Sequence, residues 1–196
     1  DNRGGVACLL TMLNYLIKNK INHGPMTILF TVREESGLWG ARTVNPKDLG
    51  FPVYGFNCDG ASPYKIITSA VGADRWQVEI YGKGSHAGVS PEEGISSTMV
   101  ASLALSKIYS NGWFGKIKKN NYRGTSNIGY YGGKDGYCAG SSTNQVTNYV
   151  RINGESRSDN KKFFTKISNE YKKEFINASK KLKNIANEKS VIKFIN

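Results

Sequence analysis

The sequence predicts an α/β fold in two parts. Residues 1–71 read as part of an α/β layer with a largely parallel sheet, and residues 72–196 as a ferredoxin-like α+β sandwich. Three observations carry this. Helical and strand patterns alternate through the first part, as they do where helices cover a parallel sheet. From about Val71 the order becomes strand, helix, two strands, helix, strand, which is that of a split βαβ fold. Hydrophobic residues make up 39% of the 196, enough for packed cores and too many for wholesale disorder.

Taking the elements in order, the run from Gly4 to residue 19 places apolar side chains at 6, 9, 10, 13, 16 and 17, near helical spacing. "NHGP" breaks that helix, and the apolar run 26–33 reads as a buried strand. "ESGLWGARTV" reads as a short helix ended by "NPKDLG", followed by a strand over 52–58. In the second part, "ADRWQVEIYGKGSH" alternates as a half-buried strand does, with Trp76, Val78 and Ile80 on one face. Pro91 suits the first turn of the helix that follows. Two further strands are read at 127–132 and 145–156, and 111–143 as mostly loop. A long amphipathic helix comes next, capped by Ser158 or Asp159, with Phe164, Ile167, Tyr171, Phe175, Ala178, Leu182 and Ile185 as its apolar stripe. "VIKFI" closes the chain as a strand.

Net charge is +12, and residues 159–193, with ten Lys against four acids, hold half of it. These cations are scattered among Asn without the arginines and interleaved aromatics of a nucleic-acid site, so they read as a solvated helix face rather than a nucleic-acid interface. No apolar run approaches the ~20 residues that span a bilayer. Three widely spaced cysteines without a CxxC read as reduced, mostly buried thiols of a cytoplasmic protein.

The chemistry-bearing residues cluster at predicted strand ends. Glu34 and Glu35 follow the strand over 26–33, and Asp59 follows that over 52–58. In a parallel sheet, such ends gather at one rim. Three carboxylates would then converge, with Asp1 as a possible fourth, and such a group repels unless protons or metal ions neutralise it. Each signal has an ordinary reading as well. Paired glutamates suit a helix start, "CDG" is a common turn, and His86 in "GSHAG" and His23 in "NHGP" are loop histidines.

In order, "DNRGGVA", "TVREESGLWGA", "FNCDG" and "GKGSHAG" resemble the M20 family of dinuclear zinc hydrolases, most closely its peptidase T-like, aminopeptidase branch. The resemblance implies a zinc-peptidase-like three-layer α/β/α catalytic domain, partly present over 1–71, and a lid or dimerisation domain over 72–196. It implies Glu34 as general base, and Asp1, Glu35 and Asp59 as ligands of two zinc ions or another divalent metal. His86 would assist the oxyanion, and Asn144 and Arg157 would contact substrate. The activity implied is hydrolysis of small peptides or N-acyl amino acids by a homodimer joined through its lids. Two histidine ligands of the family pattern have no counterpart among His23 and His86, and Asn2 stands where an acid is commoner. The expectation is therefore the middle of a longer enzyme, inactive alone. The alternative is a non-catalytic dimerisation or binding module derived from the same fold.

Overall fold

A computed structural model describes residues 2–60, 62 and 64–196. The chain separates into two units, Asp1–Thr68 and Ser69–Asn196.

In the first unit the expected helices form: α1 over Arg3–Lys18 and α2 over Trp39–Thr43, with a 3-10 turn at Pro46–Leu49. The two expected strands do not. Neither 26–33 nor 52–58 enters a ladder among the described residues, and the parallel sheet is absent with them. The physical reason is that a strand needs a neighbour to take its N–H and C=O groups. Their apolar side chains stay exposed, Val53 at 85% and Phe56 at 89%.

The second unit holds a sheet of five antiparallel strands in the order β2-β3-β4-β1-β5. β1 is Gly72–Tyr81, β2 Gly115–Lys119, β3 Tyr122–Gly132, β4 Tyr149–Ser158 and β5 Val191–Ile195. Two helices, α3 (Ser97–Ser110) and α4 (Lys161–Lys181), pack on it. Without β2, strand order and connections are those of the split βαβ sandwich; β2 widens it by one edge strand. Alternation in β1 drives Trp76, Val78 and Ile80 into the core, where they meet Val100, Ala104 and Ile108 of α3 and Ile167, Tyr171 and Phe175 of α4. The Trp76 ring packs tilted against Tyr171, centroids 4.5 Å apart, and its Nε1–H donates to the buried Ser156 Oγ at 3.1 Å.

Several boundaries differ from expectation for local reasons. Pro91 opens only a 3-10 turn, because Gly94 and an extended Ile95 paired with Lys83 intervene. α3 starts after Ser96, whose Oγ accepts from Met99 N–H. Asn160, not Ser158 or Asp159, caps α4, its Oδ1 accepting from Phe163 N–H at 3.0 Å. Phe163 is buried in place of Phe164, and Ile185 lies beyond the helix, which ends at Lys181. About half of the segment 111–143 is sheet, in β2 and β3. Asn120 and Asn121, with φ of 45° and 67°, form the two-residue turn joining β2 to β3. Cys8 and Cys138 are free and exposed rather than buried.

Candidate functional site

In the first unit, the start of α1 is tied to the segment carrying Asp59. Asn2 caps the helix, its Oδ1 accepting from Gly5 N–H at 2.9 Å, while its Nδ2 donates to the Cys58 carbonyl at 2.8 Å. Gly5 permits that approach: a Cβ there would lie 2.0 Å from Cys58 O. Asn2 thus does what an acid could not, since capping needs an acceptor and the carbonyl needs a donor. It brings the chain just before Asp59 to the first turn of α1. Asp1 lies outside the described residues.

Glu34 and Glu35 sit exposed on a turn that leads into α2. The Glu34 carbonyl accepts from both Gly37 and Leu38 N–H, at 3.0 and 2.8 Å, and the Val32 carbonyl accepts from Gly40. Arg33 and Leu38 flank the turn with φ of 56° and 63°, a conformation uncommon outside glycine. Gly40 must be glycine, because a Cβ would meet Val32 N at 2.6 Å. The pair is therefore held on a fixed, strained turn of the kind found at working sites. Among the described residues no three His, Cys, Asp or Glu side chains gather where they could hold a metal ion, so Glu34, Glu35 and Asp59 do not converge.

In the second unit, His86 and Asn144 are brought together by backbone pairing. His86 bridges Gln145, and the Asn144 carbonyl accepts from Ala87 N–H at 2.8 Å. The Asn144 side chain is engaged by Ser142 Oγ. Gly88 N–H donates to His86 Nδ1 at 3.2 Å. With Nδ1 accepting, the neutral ring carries its proton on Nε2, which is left free to donate. His23, by contrast, lies in an exposed turn with Nδ1 2.8 Å from the Gly24 carbonyl oxygen.

Arg157 is not part of this group. It lies eight residues beyond Tyr149 along β4, roughly 27 Å at strand rise, and donates twice to Glu155, at 2.7 and 3.0 Å. A cavity of about 480 Å³ opens beside His86 instead, walled by Ser85, Lys134, Thr147, Asn148 and Tyr149 among others. None of these five was singled out in the sequence. The signal that could have found Lys134 is the turn-forming "GGKDG", passed over as loop.

The second unit thus presents the split βαβ sandwich expected of the lid in the metallopeptidases that the motifs resemble. Residues 1–56 match the family model for M42 glutamyl aminopeptidases. The chain is similar to the peptidase T-like metallopeptidases. Aminopeptidase PepT from Bacillus cereus superposes on 100% of this chain with a TM-score of 0.75 at 28% identity, this chain covering 48% of it. A tripeptidase from Staphylococcus aureus gives 0.70 and 26%, again over 100% of this chain and 48% of its own length. In sequence, the uncharacterized protein YqjE of Bacillus subtilis is 35% identical over 159 residues, 81% of this chain and 39% of that protein. Peptidase T of Clostridium perfringens is 34% identical over 102 residues, 52% of this chain and 25% of its own. The chain spans less than half the length of these relatives.

Proposed function

We propose that this chain is part of an M20-like, metal-dependent hydrolase that cleaves peptide or N-acyl amide bonds of small substrates. The observation that carries this reading is the similarity to peptidase T-like enzymes, in fold over the whole chain and in sequence to peptidase T over 52% of it. Residues 1–71 would belong to its catalytic domain and 72–196 to its lid, with a homodimer formed through the lid. No described helix is long and apolar enough to cross a membrane.

The described residues do not by themselves fit a metal centre. Glu35 and Asp59 offer oxygen donors, no third ligand gathers with them, and zinc sites ordinarily include nitrogen or sulfur. Two zinc ions, or another divalent metal, would be held by the whole protein, with Asp1, Glu35 and Asp59 contributing. What this chain supplies is proton handling. Glu34, on its fixed turn, takes a proton from the attacking water and returns it to the leaving amine. His86 donates from Nε2 to the developing oxyanion. Asn144 would orient the substrate beside His86; Arg157, paired with Glu155 at the far end of β4, would contact a small substrate only from the second lid of a homodimer.

A second reading, a non-catalytic binding module, is favoured by the ungathered ligands. One experiment decides between them. The polypeptide that carries this sequence in its cell is assayed with added zinc on a panel of short peptides and N-acyl amino acids, alongside its Glu34→Gln variant. Turnover that Glu34→Gln lowers at least 10³-fold with metal content unchanged supports the hydrolase. No turnover and no bound metal would leave the binding module.

A further inference from the structure

The wall of the His86 cavity carries a charge that the chemistry above does not use. Lys134 is held there by a short loop closed on itself. Gly133 N–H donates to the Tyr137 carbonyl at 2.7 Å, Tyr137 N–H donates to the Lys134 carbonyl at 2.9 Å, and Tyr130 Oη donates to the Gly133 carbonyl at 3.2 Å. The closure requires glycine, since a Cβ on Gly133 would lie 2.2 Å from the Cys138 carbonyl oxygen. The Lys134 ammonium sits 5.4 Å above the Tyr149 ring, which lines the same cavity. The loop therefore fixes its backbone, and the aromatic face gives the exposed ammonium a favoured place at the cavity wall.

The remaining wall consists of donors and small residues. His86 contributes Nε2–H, and Thr147, Ser141 and Asn148 add hydroxyls and an amide. Among the described residues no aspartate or glutamate lines the cavity. Two carboxylates lie near Tyr149 outside it. Glu79 is occupied by Tyr81, at 2.7 Å, and Gln77, at 3.0 Å, and Asp135 follows Lys134 on the loop. A concave site with one cation, several donors and no acid favours an anion. A volume of about 480 Å³ is in the range that takes a small-molecule ligand.

We propose that Lys134 is a specificity-determining residue which selects a carboxylate on the substrate, held in the cavity beside His86. This rests on the hydrolase reading above. The shared chemistry is a carboxylate within one or two residues of the scissile bond, either the C-terminal α-carboxylate or an acidic side chain.

The test compares kcat/KM of the native polypeptide on trialanine, on its C-terminal amide, and on the amide of a tripeptide with glutamate in the middle. A five- to tenfold preference for a carboxylate-bearing substrate is expected, as for one charge-assisted contact at an accessible site. Whichever acid is preferred identifies the source. Lys134→Met should collapse the charged-to-neutral ratio, chiefly through KM, and Lys134→Arg should keep most of it. Cleavage of all three peptides with a ratio that Lys134→Met leaves within twofold overturns this proposal while the hydrolase reading stands. If nothing is cleaved, calorimetric titration with N-acetylglutamine (α-carboxylate only) and N-acetylisoglutamine (side-chain carboxylate only) decides. Binding of either that Lys134→Met abolishes upholds the site without the reaction; failure of both to bind at millimolar concentration overturns it.

Discussion

Replacing Gly154 by alanine tests how the β1–β4 register is fixed. Gly154 lies opposite Trp76 in the centre of the sheet. A Cβ added there would stand 2.3 and 2.4 Å from Cη2 and Cζ2 of Trp76, and 2.7 Å from the Asn127 carbonyl oxygen. The φ of Gly154 lies outside the left-handed region, so alanine meets no backbone penalty. On chain entropy alone the change would stabilise by about 0.5–1 kcal/mol. The contacts reverse that sign. The indole is packed against Tyr171 and Phe194 and cannot swing, and the Asn127 oxygen belongs to β3. Overpacking of this kind costs about 1–3 kcal/mol; less the entropic gain, the net loss is about 0.5–2 kcal/mol, or roughly 2–8 °C in Tm. Urea unfolding followed by tryptophan fluorescence measures it. Trp76→Phe removes both offending ring atoms, so the double variant should lose less than the sum of the singles. An unfolding midpoint for Gly154→Ala equal to or above that of the parent would refute this account of the packing.

Further predictions follow from the sheet face, the α4 cap and the lid histidine. The hydrogen bond that Tyr81 donates to Glu79 pushes the phenol up to about 12 and holds the Glu79 carboxyl below the usual range. The Tyr81 contribution to stability is thus complete below pH ~10 and lost as pH rises through about 12. The Glu79 contribution is present above its unfolded value and lost as acid titrates it. With 11 tyrosines in the chain, a 295 nm titration must be differenced against Tyr81→Phe, and Glu79→Gln should return the late step to the ordinary range. Asn160→Ala should destabilise by about 1 kcal/mol through the lost α4 cap, whereas Asp159→Ala should change stability by less than about 0.5 kcal/mol; thermal unfolding compares them. On the hydrolase reading, His86→Ala should lower kcat roughly 10²–10³-fold. Gly88→Ala should leave it alone, since its Cβ meets the imidazole at 3.6 and 3.7 Å and keeps the N–H donor.

What could be read from the sequence was what one segment decides alone. β1 was legible because a period of two and a buried partner face select the same residues, Trp76, Val78 and Ile80. α4 was legible from its stripe, though its first residue was not. Ser158, Asp159 and Asn160 are all competent caps, but Ser158 Oγ accepts from Asn160 N–H at 3.1 Å while donating to the Arg123 carbonyl at 2.6 Å, and Asn160 Oδ1 takes the helix N–H. β2 was missed because "GKIKK" reads as polar chain, with only Ile117 buried. Its sole local signal is the Asn120-Asn121 turn, in which both residues take the left-handed conformation that asparagine tolerates.

The site divides along the same line. Glu34 and Glu35 were singled out because the pair is local, but they were read as a strand end opening a helix; the turn that the closure around Gly40 fixes was not read. His86 and Asn144 were found as separate motifs, and only the bridge between 86 and 145 makes them one place. Arg157 was paired with them in sequence by resemblance, yet strand length alone puts it at the far end of β4. Lys134 escaped notice for the opposite reason: its significance lies in facing Tyr149 across fourteen intervening residues of loop, which no periodicity reports. The rim of carboxylates failed as a geometric expectation for the most general reason. Glu34 and Asp59 follow segments that only a ladder would align, and a ladder is a relation between strands. An apolar run such as 26–32 supplies one side of that relation, never both.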